Sequence, residues 1–276
     1  MHYGREQTDM ITSSNNAKVK QVVQWQTKAK ERRKDHVFLA EGVRMCEEAP
    51  VKSVREVYLT EELEQKLRQN AQNGDTAFWD KLQQTGYETV SLEVFAKMAD
   101  TQTPQGILTV LEQPSYDLTQ LLEHPEPLFL ILENLQDPGN LGTMIRTGEG
   151  AGITGVIMNQ QTVDIFNPKT IRATMGSIFR VPFVYVPELS PVLTQMHEKG
   201  IHTYAAHLKG QKYYDSFSFR EPTAFLIGNE GNGLTKEISD QAGQYLKIPM
   251  EGKVESLNAS IAAALLMYEA HRQRNL

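Results

Sequence analysis

"LFLILENLQDPGNLGTMIRTGEGAG", residues 128–152, decides how this chain is read. Residues 128–132 are apolar without interruption, the pattern of a strand buried on both faces of a parallel sheet. The segment after them is dense in glycine: Gly139, Gly142, Gly148, Gly150 and Gly152. A strand that runs into a glycine-rich turn and then a helix often cradles a phosphate. Here the spacing gives neither GxGxxG nor GxxxxGK[ST], which argues against a dinucleotide enzyme and against a P-loop enzyme. The turn also carries one arginine, Arg146, among small and apolar neighbours.

Two later segments share this design. "FLIGNEGNGLTKE" covers residues 225–237 and "IPMEGKVESLNAS" covers residues 248–260. Each sits where a strand should end. In an open parallel sheet, ligands bind beyond the carboxyl ends of the strands, so the three turns can converge on one site. Plainer readings stand beside this one. Asn140 lies six residues before Arg146, off its helical face, and reads as a helix cap. Ser256 precedes an apolar helix and reads as an ordinary N-cap, although Asn258 then adds a second polar group where one suffices. "GNEGNG" can be a simple loop. Glu230, however, has little reason to be acidic for folding, and Gly228, Gly231 and Gly233 permit close backbone approach to a ligand. Arg146 has no acidic neighbour before Glu149, and an arginine so placed usually has a specific anionic or polar partner.

The chain has 276 residues, room for one large domain or two modest ones. Its composition, 40% hydrophobic and 22% charged, is that of a soluble globular protein. No apolar run approaches the roughly 20 residues of a membrane span. The first ten residues have no apolar core, so no signal peptide is expected. Cys46 is the sole cysteine and the histidines are scattered, so neither a disulfide nor a metal site is expected. A cytoplasmic location is the simple expectation.

A net charge of −6 argues mildly against a nucleic-acid partner, but its distribution argues the other way. Lys18, Lys20, Lys28, Lys30, Arg32, Arg33 and Lys34 are opposed locally only by Glu31 and Asp35. Such a segment is either a solvated helix face or a footprint for phosphates.

Strand and helix patterns alternate through the first 112 residues, which predicts a small α/β domain. Residues 16–34 read as a single helix. Pro114, Pro125 and Pro127 then mark a linker. The expected division is a domain over residues 1–113, a linker over 114–127 and a second α/β domain over 128–276. Six strands are predicted in that second domain, several of them continuous apolar runs.

Together, "NLQDPGNLGTMIRTGEGAG", "LIGNEGNGL" and "IPMEGKVESLNASIAAALL" resemble motifs one, two and three of the SpoU (TrmH-like) RNA ribose 2′-O-methyltransferases of the SPOUT superfamily. The resemblance covers about residues 128–273. "ITSSNNAKVKQVVQW", "FLAEGVRMCEEA" and "TPQGILTV" resemble, more weakly, the family's ribosomal-protein-L30e-like substrate-binding domain. The resemblance implies a SPOUT α/β-knot, a parallel sheet with a trefoil knot. It also implies S-adenosyl-L-methionine as cofactor and a homodimer formed through the methyltransferase domain. It places Gly228, Asn229, Ile248, Met250, Ser256 and Leu257 at the cofactor. It assigns catalytic and positioning roles to Asn140, Arg146, Glu230, Ser256 and Asn258.

The implied reaction moves a methyl group to an RNA ribose 2′-hydroxyl, with ribosomal RNA favoured as substrate. Because the donor is already activated, the protein's task is positioning and proton removal. A guanidinium stays protonated, so Arg146 is expected at the RNA phosphate or the 2′-oxygen rather than as a base. Glu230 is expected to orient Arg146 or Asn140, in its own or in the partner subunit. The basic segment, Lys18 to Lys34, is expected to touch RNA. The alternatives are a transfer-RNA 2′-O-methyltransferase, a base methyltransferase of the same superfamily, and a non-catalytic RNA-binding or ribosome-assembly protein.

Overall fold

A computed structural model describes residues 9–207, 210–254 and 256–275. The N-terminal stretch read for a leader lies mostly outside them, as does Glu255 of the third turn. The chain divides into two compact units, residues 1–114 and 115–276.

In the first unit the chain runs α1 (Ala17–Thr27), α2 (Ala29–Asp35), β1 (Val37–Glu41), α3 (Val43–Glu48), β2 (Val54–Thr60), α4 (Glu61–Gln72), α5 (Ala77–Thr85), β3 (Glu88–Val90), α6 (Leu92–Met98) and β4 (Ile107–Glu112). The strands form one sheet in the order β1-β4-β2-β3. Residues along a strand alternate between faces, and β2 shows it: Tyr58 packs with α1 and α6 side chains such as Val22, Trp25 and Phe95. Val57 and Leu59 instead meet Leu63, Phe78 and Leu82 of α4 and α5. Helices therefore cover both faces of the sheet.

The helix expected over residues 16–34 is two helices. Lys28 is extended, with φ −123° and ψ 109°. Arg32 stabilises the break: it is buried, and its Nη1 donates to the carbonyl oxygens of Trp25 at 2.7 Å and Gln26 at 3.3 Å. These are carbonyls that the end of α1 leaves open. No proline or glycine marks the interruption, so the sequence pattern does not reveal it.

In the second unit the elements are α7 (Leu118–Leu122), β5 (Leu128–Leu132), α8 (Pro138–Ala151), β6 (Gly155–Asn159), α9 (Pro168–Thr174), β7 (Phe183–Val186), α10 (Ser190–Glu198), β8 (His202–Ala206), β9 (Lys212–Tyr213), β10 (Thr223–Ile227), α11 (Lys236–Asp240), β11 (Gln244–Lys247) and α12 (Ala259–Arg274). Among the described residues, seven strands pair in the order β7-β6-β5-β10-β8-β11-β9, every pair parallel. β5, β6 and β10 are buried at every residue, which is why their sequences are apolar apart from Asn159 at the end of β6 and Thr223 at the start of β10. The expected parallel sheet is present. The two-residue β9 is a seventh strand that the apolar pattern does not announce.

Residues 115–127 are not a free linker. Tyr116, Leu118, Leu121 and Leu122 pack on the core beneath β5, β6 and β7, with Leu122 buried. α8 lies very close to α9: a Cβ on Gly142 would stand 2.5 Å from the Cβ of Ala173 and 2.6 Å from the carbonyl oxygen of Thr170. Glycine is what permits that approach, and it fixes where the start of α8 points. Among the described residues, no helix is long and apolar enough to cross a membrane.

Candidate functional site

β5, β10 and β11 end at the same rim of the sheet, and the three glycine- and polar-rich turns follow them. The turn after β10 is built around Asn229. Its backbone pairs with Gly233 in both directions, at 3.0 and 2.8 Å, closing a tight loop. Its side-chain oxygen accepts the N–H groups of Gly231 at 2.9 Å and Asn232 at 3.1 Å. Its amide donates to the carbonyl of Asn134 in the first turn, at 2.9 Å. The loop turns so sharply that a Cβ on Gly228 would lie 2.1 Å from backbone atoms of Gly233 and Leu234. Gly228 thus has no room for any side chain.

The same loop walls a cavity of about 400 Å³. Gly228, Asn229, Ile248, Met250, Ser256 and Leu257 all line it, so the structure brings the six residues expected at the cofactor to one place. Ile227, Leu246 and Ala262 add apolar wall, and His207 and Lys247 add polar rim. The His207 ring stacks on Tyr245, centroids 4.9 Å apart. The volume falls in the range of small-molecule sites, roughly 300–1,000 Å³. Apolar walls beside the backbone N–H and C=O groups of a glycine loop fit a nucleoside-sized ligand.

Beside the cavity, three of the expected catalytic residues form a chain. Glu230 Oε1 accepts the Asn140 amide at 3.0 Å and the backbone N–H of Asp137 at 2.9 Å. Glu230 Oε2 accepts the N–H of Gln136 at 3.0 Å. Burial pushes the Glu230 carboxyl up, but the donors from Asp137, Asn140 and Gln136 outweigh it and hold the group below its ordinary value. Asn140 in turn accepts the Asn258 amide on Oδ1 at 3.0 Å. Its two amide ends therefore face an acceptor and a donor, and its orientation is fixed.

Two capping assignments change. Asn140 does not cap α8; Asp137 does, accepting the Asn140 N–H at 2.8 Å, with Pro138 at the first helical position. The Asn140 N–H and the nearby Lys169 ammonium, 3.2 Å away, hold the Asp137 carboxyl below its ordinary value. α12 is capped by Asn258 rather than Ser256, through the N–H of Ser260 at 2.8 Å and of Ile261 at 3.4 Å. Ser256 is left exposed at the cavity edge.

Arg146 stands apart from this group. It is exposed on α8 and makes no hydrogen bond or ion pair among the described residues. Glu149, its nearest acid in sequence, is taken by Arg180. Within this one chain neither Glu230 nor Asn140 touches Arg146, and Glu230 meets Asn140.

Of the basic segment, Lys20, Lys28, Lys30, Arg33 and Lys34 are exposed. Lys18 is exposed but paired with Glu88 at 2.6 Å. Arg32 is turned inward and is not offered to a ligand.

Sequence reasoning missed the residues that join the turns. Glu133 is buried and accepts both the N–H and the hydroxyl of Thr235, each at 2.7 Å, clamping the start of α11 to the end of β5. Asn134 and Asn159 exchange two hydrogen bonds. The signal that was available is an acid and an amide directly after a buried strand, where folding alone favours neither.

Residues 127–268 match the SpoU rRNA Methylase family, and residues 16–109 match the MRM3-like substrate binding domain. The 23S rRNA (guanosine(2553)-2′-O)-methyltransferase RlmP of Bacillus subtilis is 33% identical over 94% of this chain and 97% of its own. The AdoMet-bound rRNA methyltransferase from Sinorhizobium meliloti superposes with a TM-score of 0.82 at 29% identity, covering 97% of this chain and 98% of that one. The SpoU methyltransferase AviRb from Streptomyces viridochromogenes, solved with AdoMet, gives 0.80 at 26% identity over 94% and 98%.

Proposed function

The chain belongs to the SpoU rRNA Methylase family, and from that premise we propose that it methylates a ribose 2′-hydroxyl of ribosomal RNA, in the cytoplasm, with S-adenosyl-L-methionine as donor. The observation that carries this reading is the Asn258–Asn140–Glu230 chain beside a cavity lined by Gly228, Ile248 and Leu257. When bound, the cofactor supplies a methyl group on a sulfonium, already activated toward an oxygen nucleophile.

The chain's own residues have the positioning work. The loop of residues 228–233 and the walls Ile248 and Leu257 bind the cofactor. Asn140, fixed between Glu230 and Asn258, orients the ribose by a hydrogen bond. Ser256 sits at the cavity edge, within the same rim. Arg146 is exposed and unpaired among the described residues, so its charge is available to an RNA phosphate or to the 2′-oxygen as negative charge develops there, while the hydroxyl proton passes to water or to the phosphate. Lys20, Lys28, Lys30, Arg33 and Lys34 supply an RNA-contacting surface in the first unit.

A homodimer through the methyltransferase unit is part of the proposal. Ile261, Leu265 and Tyr268 recur at helical spacing on α12 and are 50%, 37% and 48% exposed. An apolar stripe of that kind calls for a partner surface. Sedimentation of wild type and Leu265→Glu tests it: a monomeric wild type ends the dimer proposal. The function itself is tested by mapping ribose methylations across ribosomal RNA in cells with and without this protein. One or more 2′-O-methyl marks are expected to vanish; an unchanged map contradicts the reading.

A further inference from the structure

Asn134, two residues beyond β5, has a left-handed backbone with φ 56°. Non-glycine residues rarely adopt that conformation, and asparagine tolerates it best. The turn it makes lets one residue serve three segments. Its N–H donates to Asn159 Oδ1 at 3.0 Å, and its own Oδ1 accepts the Asn159 amide at 2.8 Å. Its carbonyl accepts the amide of Asn229 at 2.9 Å and of Gln136 at 3.0 Å. Asn159 is itself buried, and the Thr162 hydroxyl donates to its oxygen at 2.8 Å, which fixes which way that amide faces.

The consequence reaches both halves of the site. Asn229, held by Asn134, folds the cavity loop through the N–H groups of Gly231 and Asn232. The next residue, Glu230, takes its hydrogen bonds from Gln136, Asp137 and Asn140, all within six residues of Asn134. The two loops are thus tied twice, once at Asn134–Asn229 and once at Glu230. The second tie uses an exposed carboxylate; the first anchors, through Asn134, to the buried amide of Asn159.

We propose that Asn134 is a positioning residue that holds the cavity loop and the Asn140 turn in one register, so that donor binding and ribose placement are set together. This rests on the methyltransferase reading of the site, but its first test does not. In the protein without cofactor, amide hydrogen exchange is followed at residues 230–234. Asn134→Gly keeps the left-handed backbone and its carbonyl, whereas Asn134→Ala strains the first and misdirects the second. The Ala variant is expected to exchange about tenfold faster in that loop, and the Gly variant within about threefold of wild type. Asn159→Ser, which withdraws the oxygen that accepts the Asn134 N–H, a bond that Asn134→Gly keeps, is expected to loosen the same loop; it decides the matter where Asn134→Ala does not fold. With S-adenosyl-L-methionine, the Ala variant is expected to lose about tenfold in both donor affinity and kcat, and the Gly variant little of either. Equal exchange in all variants overturns the inference, as does a lowered Tm with unchanged exchange at the loop and unchanged kinetic constants. If wild type binds no S-adenosyl-L-methionine, the functional reading fails while the exchange result still judges Asn134.

Discussion

Asn258 donates its side-chain amide to Asn140 Oδ1 at 3.0 Å, joining the start of α12 to the start of α8 across 118 positions of sequence. The same Asn258 caps α12 with its oxygen. One side chain thus ends a helix with one atom and aims a neighbouring amide with the other.

Those two roles separate by substitution. Asn258→Asp keeps the capping oxygen and removes the donor. Asn140 cannot simply turn over, because its own amide is committed to Glu230. We expect an unchanged Tm and a kcat lowered by at least about tenfold, an effect of about 1.4 kcal/mol. Asn258→Ala loses the cap as well, at about 1 kcal/mol. Thermal melts beside single-turnover methyl transfer check both; equal turnover in wild type and Asn258→Asp contradicts the role given to Asn140.

Gly228 and Gly231 sit three positions apart in one loop and should respond differently to alanine. A Cβ at Gly228 meets backbone at 2.1 Å, which no rotamer relieves, whereas at Gly231 the nearest neighbour is the Asn229 side chain at 3.5 Å. Gly228→Ala is expected to cost about 1–3 kcal/mol through overpacking and to abolish cofactor binding. Gly231→Ala should bind the cofactor nearly as wild type does. Calorimetric titration with S-adenosyl-L-methionine distinguishes them.

Glu230 gives a pH signature. Its folded carboxyl is held below the ordinary value, so its contribution to stability is complete above the unfolded pKa, about 4, and fades as pH falls through the folded one. Asp137 is lowered in the same direction. Glu230→Gln should therefore melt below wild type at neutral pH, and the gap should close on acidification below about pH 4. A gap that widens in acid assigns the sign wrongly.

In the basic segment, substituting Lys20, Lys28, Lys30, Arg33 and Lys34 together should weaken RNA binding and flatten its salt dependence. Each lost phosphate contact removes about 0.7–0.9 from the slope of log affinity against log salt. Arg32→Ala should leave that slope alone and instead destabilise the first unit by about 1–3 kcal/mol, by leaving buried carbonyls unsatisfied. Filter binding across a salt series, with melts alongside, separates the two.

Much of this was legible in the chain. The buried parallel strands speak through unbroken apolar runs at residues 128–132 and 224–227, and three polar turns after such strands mark the rim where they converge. What stayed hidden is long-range. Ser256 and Asn258 are both capping types, two residues apart, and only the folded backbone chooses Asn258. Arg32 looks like its cationic neighbours until the break at Lys28 turns it inward. The clamp of Glu133 on Thr235 spans 102 positions, and β9 is too short to carry a period.

The most direct test of the central claim is methyl transfer from labelled S-adenosyl-L-methionine to ribosomal RNA by wild type and by Arg146→Ala, followed by alkaline hydrolysis. A 2′-O-methyl group makes the adjoining phosphodiester resistant to alkali. The account predicts label in alkali-resistant dinucleotides for wild type, and transfer reduced about a hundredfold in Arg146→Ala with cofactor affinity unchanged. Label confined to alkali-sensitive nucleotides, or undiminished transfer by Arg146→Ala, would contradict it.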